Sequence, residues 1–117
     1  MGIRLKRAYE KPDPEDGCRV LVDRIWPRGV KKEELRVDFW MKEIAPSTEL
    51  RRWFGHDPSK WDEFRQRYFL ELEGLKESVE SLRNRARQGP LTLVYGAADE
   101  KHNNAAALKE LLESANP

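Results

Sequence analysis

Cysteine and histidine are scarce in this chain, and their scarcity excludes several kinds of site. The 117 residues include one cysteine, Cys18, so no disulfide can form within the chain. Cys18 lies in an apolar run, where a thiol usually behaves as a small hydrophobic side chain. The sequence contains no Cys-x-x-Cys motif, and its two histidines are far apart. We therefore predict no metal site, and the sequence indicates no particular cofactor.

Long apolar runs and a surplus of one charge are also missing. No stretch approaches the roughly 20 apolar residues that a membrane-spanning helix needs, and the N-terminus lacks the apolar core of a signal peptide. These absences predict a soluble, cytoplasmic protein. The 22 Lys and Arg residues nearly cancel the 21 Asp and Glu residues. That balance argues against a surface that is basic overall, although a local basic patch remains compatible with it.

Segments typical of strands and of helices alternate along the chain. Residues 3–9 alternate apolar and basic side chains, as a half-buried or edge strand does. Residues 18–22 and 91–95 are short apolar runs typical of inner strands, and residues 36–41 form a weaker third pattern. This order predicts a single α/β domain over residues 1–117, with three layers and a small, mainly parallel sheet flanked by helices.

Helical patterns fill most of the remaining sequence. A helix over residues 47–55 has a serine cap and a terminal glycine. Asp57 precedes a proline, which is typical of a helix start, and an apolar stripe then runs at steps of three and four to residue 86. The stripe predicts one helix of about 28 residues that Gly74 bends, and it favours core packing over a partner helix. Asp99 is predicted to cap the last helix.

Polar and aromatic side chains follow two of the predicted strands. The long helix between residues 18–22 and 91–95 favours a parallel, right-handed connection, which brings the carboxyl ends of both strands to one edge of the sheet. Ligands bind at that edge in open α/β sheets. The residues expected to meet there are Asp23, Arg24, Trp26 and Arg28 after the first strand, and Tyr95, Asp99, His102 and Asn103 at or after the second.

These side chains have complementary chemistry. Arg24 and Arg28 carry planar, permanently charged groups that suit a carboxylate or a phosphate. Asp23, Asp99 and His102 are the catalytic candidates, because carboxylates and imidazoles can accept or donate a proton. The ligand-binding candidates are Arg24, Trp26, Arg28, Tyr95 and Asn103, with the two aromatic rings available to stack on a base or a sugar.

Each candidate also has a purely structural interpretation. Asp23 can simply pair with Arg24 or another arginine, and Trp26 can be a core residue. Asp99 can serve as a helix cap alone, and His102 can be a solvated side chain. His56 lies in a loop between two helices and is a candidate for the rim of the site. The preceding pair, Arg51 and Arg52, is most simply a solvated helix face. The prediction of a site therefore depends on the convergence of these groups at one sheet edge.

Four segments of the chain resemble the YeaO-like family of small bacterial and archaeal proteins, a domain of unknown function. They are residues 22–30 (VDRIWPRGV), 45–47 (APS), 53–58 (WFGHDP) and 99–105 (DEKHNNA). The resemblance covers essentially the whole chain in the same order, and its first motif is specific. It implies one α/β domain and retains the site candidates within these segments, but it implies no reaction, substrate or cofactor.

The leading hypothesis is a site that binds a small anionic ligand, such as a nucleotide or another phosphorylated compound, with turnover left open. One alternative is a nucleic-acid-binding module that uses Arg24, Arg28, Lys31 and Lys32. Another is a protein–protein interaction domain that uses the long helix. Catalysis and oligomeric state are left undecided by the sequence.

Overall fold

The apolar runs of the chain pair into a parallel sheet in a computed structural model that describes residues 2–114. The strands are β1 (Ile3–Arg7), β2 (Cys18–Leu21), β3 (Phe39–Trp40) and β4 (Leu91–Tyr95). The helices are α1 (Lys32–Leu35), α2 (Thr48–Phe54), α3 (Trp61–Glu73), α4 (Lys76–Gln88) and α5 (Asn104–Glu113). Short 3₁₀ turns occupy Pro14–Asp16, Lys42–Ile44 and Pro58–Lys60.

The strand order is β1-β4-β2-β3, and every pair is parallel. The predicted pairing of β2 with β4 is confirmed, with Cys18 opposite Leu91 and Leu21 opposite Val94. The third strand is shorter than its alternating pattern predicted. Arg36 ends α1 in the left-handed conformation and a 3₁₀ turn begins at Lys42, so little extended chain remains between them.

The two faces of the sheet carry unequal layers. Alternate side chains of β4, such as Leu93, pack in a large core with residues of α2 to α5. The intervening residue Val94 faces the other way, where it packs with Leu35 of α1. Trp26 and Trp40 complete this second cluster with ring centroids 5.3 Å apart. The predicted α/β architecture is confirmed, with one short helix and loops on the second face.

The prediction of one long helix over the apolar stripe is wrong. Gly74 and Leu75 separate α3 from α4, and Asp57 caps the preceding 3₁₀ turn by accepting a hydrogen bond from the Ser59 amide. A helix of about 28 residues would be about 42 Å long, whereas the longest extent of the domain is 37 Å. The break at Gly74 lets both halves of the stripe reach the same core.

Among residues 2–114, no helix has the length and apolar character to cross a membrane.

A buried ion pair fastens the second face. Arg19 and Asp16 are almost completely buried, and the Arg19 Nη1 atom lies 2.7 Å from Asp16 Oδ2. Arg19 also donates to the Leu35 carbonyl, while Lys6 donates to the Asp16 carboxylate. Burial raises the pKa of Asp16, but hydrogen bonds from the Asp13 amide, Lys6 and Arg19 outweigh it and hold the pKa below its ordinary value.

We expect Arg19→Met to lower the free energy of unfolding by about 3–5 kcal/mol, because it leaves a buried carboxylate with fewer partners. Arg4→Met is the matched control, since Arg4 forms an exposed pair with Glu15 at 3.8 Å and should cost less than about 1 kcal/mol. Urea denaturation measures both. Equal losses in the two variants would contradict the structural role of the buried pair.

The same pair predicts a direction for the pH dependence. Because the pKa of Asp16 is lowered on folding, its stabilisation is complete above the ordinary value of 3.8 and is lost as the pH falls below it. The difference between the wild-type protein and Arg19→Met should therefore narrow in acid. Denaturation at a series of pH values tests this, and a difference that widens below pH 3.8 would contradict it.

Candidate functional site

A cavity of about 640 Å³ opens at the carboxyl ends of β2 and β4. Its walls come from the loop after β2 (residues 23–25), the loop after β4 (residues 96–99), helix α2, and the residues 102–104 that lead into α5. The rings of Phe54 and Phe64, with centroids 4.5 Å apart, add an apolar part to the lining. The predicted location of a site at this sheet edge therefore coincides with a cavity.

One wall of the cavity is basic. Arg24 lines it and donates from Nη2 to the carbonyls of Ala45 and Pro46, each at 3.3 Å. Arg51 and Arg52 line it from the last turn of α2 and are exposed. Among the residues that the structure describes, no carboxylate lies within ion-pair distance of these three arginines. No ion pair therefore neutralises their charge, although Arg51 is near enough to Asp23 to lower the pKa of that carboxyl group.

His56 lies on the same cavity and was predicted as a rim residue. Helix α2 ends at Phe54 and is capped by Gly55, and both Gly55 and His56 adopt positive φ angles, of 53° and 58°. These two left-handed residues turn the chain back at the cavity mouth, where His56 is exposed.

Asp23 holds the ends of the two central strands together. Its Oδ2 accepts a hydrogen bond of 2.8 Å from the Gly96 amide, and its Oδ1 accepts one of 3.1 Å from the Asn104 side chain. A Cβ at position 96 would lie 3.3 Å from Oδ2, so glycine suits this close approach. Burial raises the pKa of Asp23, and the two hydrogen bonds and nearby Arg51 offset part of that effect.

Asp99 and His102 form a pair on the cavity wall. Asp99 Oδ1 accepts hydrogen bonds from the amides of Lys101 (2.9 Å) and His102 (3.1 Å), while Oδ2 lies 2.9 Å from His102 Nδ1. These contacts, led by the one from Lys101, lower the pKa of Asp99. An ionised carboxylate can only accept, so Nδ1 is the donor. The His102 ring also packs edge-on against Trp61, with centroids 5.4 Å apart.

The prediction that Asp99 caps the last helix is wrong. Helix α5 begins at Asn104, and its N-cap is Asn103, whose side chain accepts a 2.8 Å hydrogen bond from the Ala106 amide. Asp99 instead caps the turn before the helix. Asn103 also donates to the Asp99 carbonyl at 3.0 Å. It is buried, so its contribution at the cavity wall is mainly to hold this turn against α5.

Three of the predicted ligand contacts lie outside the cavity lining. Trp26 donates to the Val30 carbonyl and packs on the second face of the sheet. Arg28 is exposed in the same loop, where its carbonyl accepts from the Tyr9 hydroxyl, so the expected meeting of Arg28 with His102 is not found.

Tyr95 is 2% exposed and points into the core, as strand alternation with Leu93 requires, so its ring cannot stack on a ligand.

The arginines of α2 were the functional candidates that sequence reasoning missed. The sequence predicted Arg51 and Arg52 to be a solvated helix face, and both are indeed exposed. Their approach to the cavity depends on how α2 packs against α3, and no local pattern encodes that packing. The one available signal was their position beside the 53–58 motif.

Comparisons with known proteins agree with the resemblance in the motifs. The sequence profile described as "Inactive DUF488-N3 subclade" matches residues 2–116. The uncharacterised protein YeaO of Escherichia coli is 43% identical over 114 residues, which are 97% of this chain and 99% of that protein. The uncharacterised protein Rv3073c of Mycobacterium tuberculosis is 44% identical over 110 residues, covering 94% of this chain and 92% of that protein. No solved structure matches the chain.

We expect His102 to carry its ring hydrogen on Nδ1 when the ring is neutral, because the Asp99 carboxylate can only accept. Long-range ¹H–¹⁵N spectra distinguish the two ring tautomers, and His56, the other histidine of the chain, is the internal reference. In Asp99→Ala, His102 should lose this restriction and resemble His56. A wild-type His102 with its hydrogen on Nε2 would contradict the pairing.

Proposed function

The chain belongs to the DUF488 family, in the subclade described as inactive, and we propose that it binds a small anionic ligand in the cavity without turning it over. The observation that carries this proposal is the basic wall, formed by Arg24, Arg51 and Arg52 without carboxylate partners among the described residues. Guanidinium groups bind carboxylates and phosphates through paired, charge-assisted hydrogen bonds. A cavity of about 640 Å³ is of the size that holds such ligands.

A phosphorylated ligand suits the cavity better than a simple carboxylate. A phosphate monoester has three terminal oxygens and up to two negative charges, which several arginines can share. The apolar contribution of Phe54 and Phe64 favours a ligand that has an organic part beside its charged group. These features together support a nucleotide or another phosphorylated compound of similar size.

The hydrogen bonding of the acidic residues supports binding without turnover. Asp23 accepts from Gly96 and Asn104 with both oxygens, which gives it a role in holding the walls of the cavity. Both oxygens of Asp99 likewise accept from its own turn and from His102. The description of the subclade as inactive agrees with roles in positioning and recognition for these groups.

The two alternative functions have weaker support. The basic residues that would bind a nucleic acid do not form one patch. Arg24 lines the cavity, whereas Arg28, Lys31 and Lys32 lie in or beside the layer on the second face of the sheet. Glu33 and Glu34 further dilute that positive charge. The apolar stripe of α3 and α4, offered for a partner helix, is packed in the core.

A thermal-shift screen against nucleotides, sugar phosphates and carboxylates tests the proposal. A ligand at 100 times its dissociation constant stabilises the folded state by about 2.7 kcal/mol, which corresponds to a shift of several degrees. We expect Arg51→Ala and Arg52→Ala each to weaken the binding of a hit about 10- to 100-fold, since a hydrogen bond to a charged group contributes about 1.5–3 kcal/mol.

Arg28→Ala is the matched control, because it removes an exposed arginine that lies outside the cavity. It should leave the affinity of the same hit unchanged. A hit that is weakened by Arg28→Ala and not by Arg51→Ala or Arg52→Ala would contradict binding in this cavity. Binding of RNA or DNA that depends on Arg28 and falls steeply with salt would favour the nucleic-acid alternative.

A further inference from the structure

The imidazole of His102 presents one polar atom that the fold does not use. Its Nδ1 is engaged by Asp99 at 2.9 Å, and among the described residues no group hydrogen-bonds to Nε2. His102 lines the cavity and is partly exposed. On a neutral ring whose Nδ1 carries the hydrogen, Nε2 is an acceptor. The residues that line the cavity therefore include a side chain with a free acceptor as well as three cationic donors.

We infer that the ligand is a phosphate ester with a free hydroxyl group on its organic part, and that this hydroxyl donates to His102 Nε2. This inference rests on the proposed function, because it takes the arginines as the phosphate site. It makes His102 a specificity-determining residue and Asp99 a positioning residue that acts through it. The class of ligand is thereby narrowed to hydroxylated phosphates, such as sugar phosphates and nucleotides with an intact ribose.

The neighbours of His102 favour a hydroxyl over a second anionic group. The Asp99 carboxylate lies 2.9 Å from the ring and would repel a further negative charge. The three arginines already provide for the anion on the basic wall. A hydroxyl group carries no charge and supplies the hydrogen that a neutral acceptor needs.

The ring is also held in place before any ligand binds. Asp99 fixes it through Nδ1, and the face-to-edge contact with Trp61 restrains its rotation. Trp61 in turn stacks on Phe64 with centroids 5.6 Å apart, which connects the ring to the core. A preorganised acceptor loses little conformational freedom on binding, so it can contribute to selectivity.

Two probes of one shape test hydroxyl recognition. Ribose 5-phosphate is compared with tetrahydrofurfuryl phosphate, which has the same five-membered ring and phosphate without the ring hydroxyls, and inorganic phosphate is the reference. By calorimetry we expect the wild-type protein to bind ribose 5-phosphate about tenfold more tightly than tetrahydrofurfuryl phosphate. His102→Phe should abolish that preference while leaving the affinity for inorganic phosphate unchanged.

Arg28→Ala is the control here as well, because it changes an exposed residue that lies outside the cavity. It should keep the preference for ribose 5-phosphate. The wild-type protein provides a readout that needs no variant. The ¹⁵N chemical shift of His102 Nε2 should change on addition of ribose 5-phosphate and remain unchanged on addition of tetrahydrofurfuryl phosphate.

The outcomes separate the two proposals. Equal affinity for the two esters, or an equal loss of both in His102→Phe, would overturn hydroxyl recognition and leave phosphate binding intact. A failure of inorganic phosphate and both esters to bind the wild-type protein would overturn hydroxyl recognition as stated here. Together with the absence of any hit in the thermal-shift screen, it would overturn the proposed function itself.

Discussion

The structure depends above all on the parallel pairing of β2 with β4 and on the carboxylate that secures their ends. Asp23 follows β2, Gly96 follows β4, and the hydrogen bond between them joins the two loops that form the cavity. The same carboxylate accepts a hydrogen bond from Asn104 at the start of α5, so it also holds the wall formed by residues 102–104. A partly buried carboxylate without partners would be costly, and here both oxygens of Asp23 accept hydrogen bonds.

The unequal layers of the domain determine which side can accept a ligand. On the second face, the motif that follows Asp23 packs Trp26 against Trp40. That packing carries Arg28 away from the sheet edge. On the helical face, α2 and the turn before α5 leave a gap between them at the carboxyl ends of β2 and β4. The basic wall and the Asp99–His102 pair stand on that side, so charge recognition and hydroxyl recognition would act within one cavity.

Much of the architecture could be predicted because it depends on local patterns. The run Leu91–Tyr95 is uniformly buried in the structure as its composition predicted, and the serine cap of α2 accepts the expected hydrogen bond. The prediction of one long helix was wrong because apolar side chains continue at steps of three and four through Gly74, where the structure breaks the helix in two. Periodicity reports which side chains face the core, but it does not report how far a straight helix can run before it leaves that core.

The sequence by itself determined the class of fold, the adjacency of the two central strands and the sheet edge at which polar groups gather, because apolar alternation and the crossover rule depend on neighbours along the chain. The tertiary structure alone decided which of those polar groups share a cavity. It included Arg51 and Arg52 and left out Trp26, Arg28 and Tyr95. The physical reason is that a loop's direction and a helix's rotation follow from packing between distant segments, which no local pattern records.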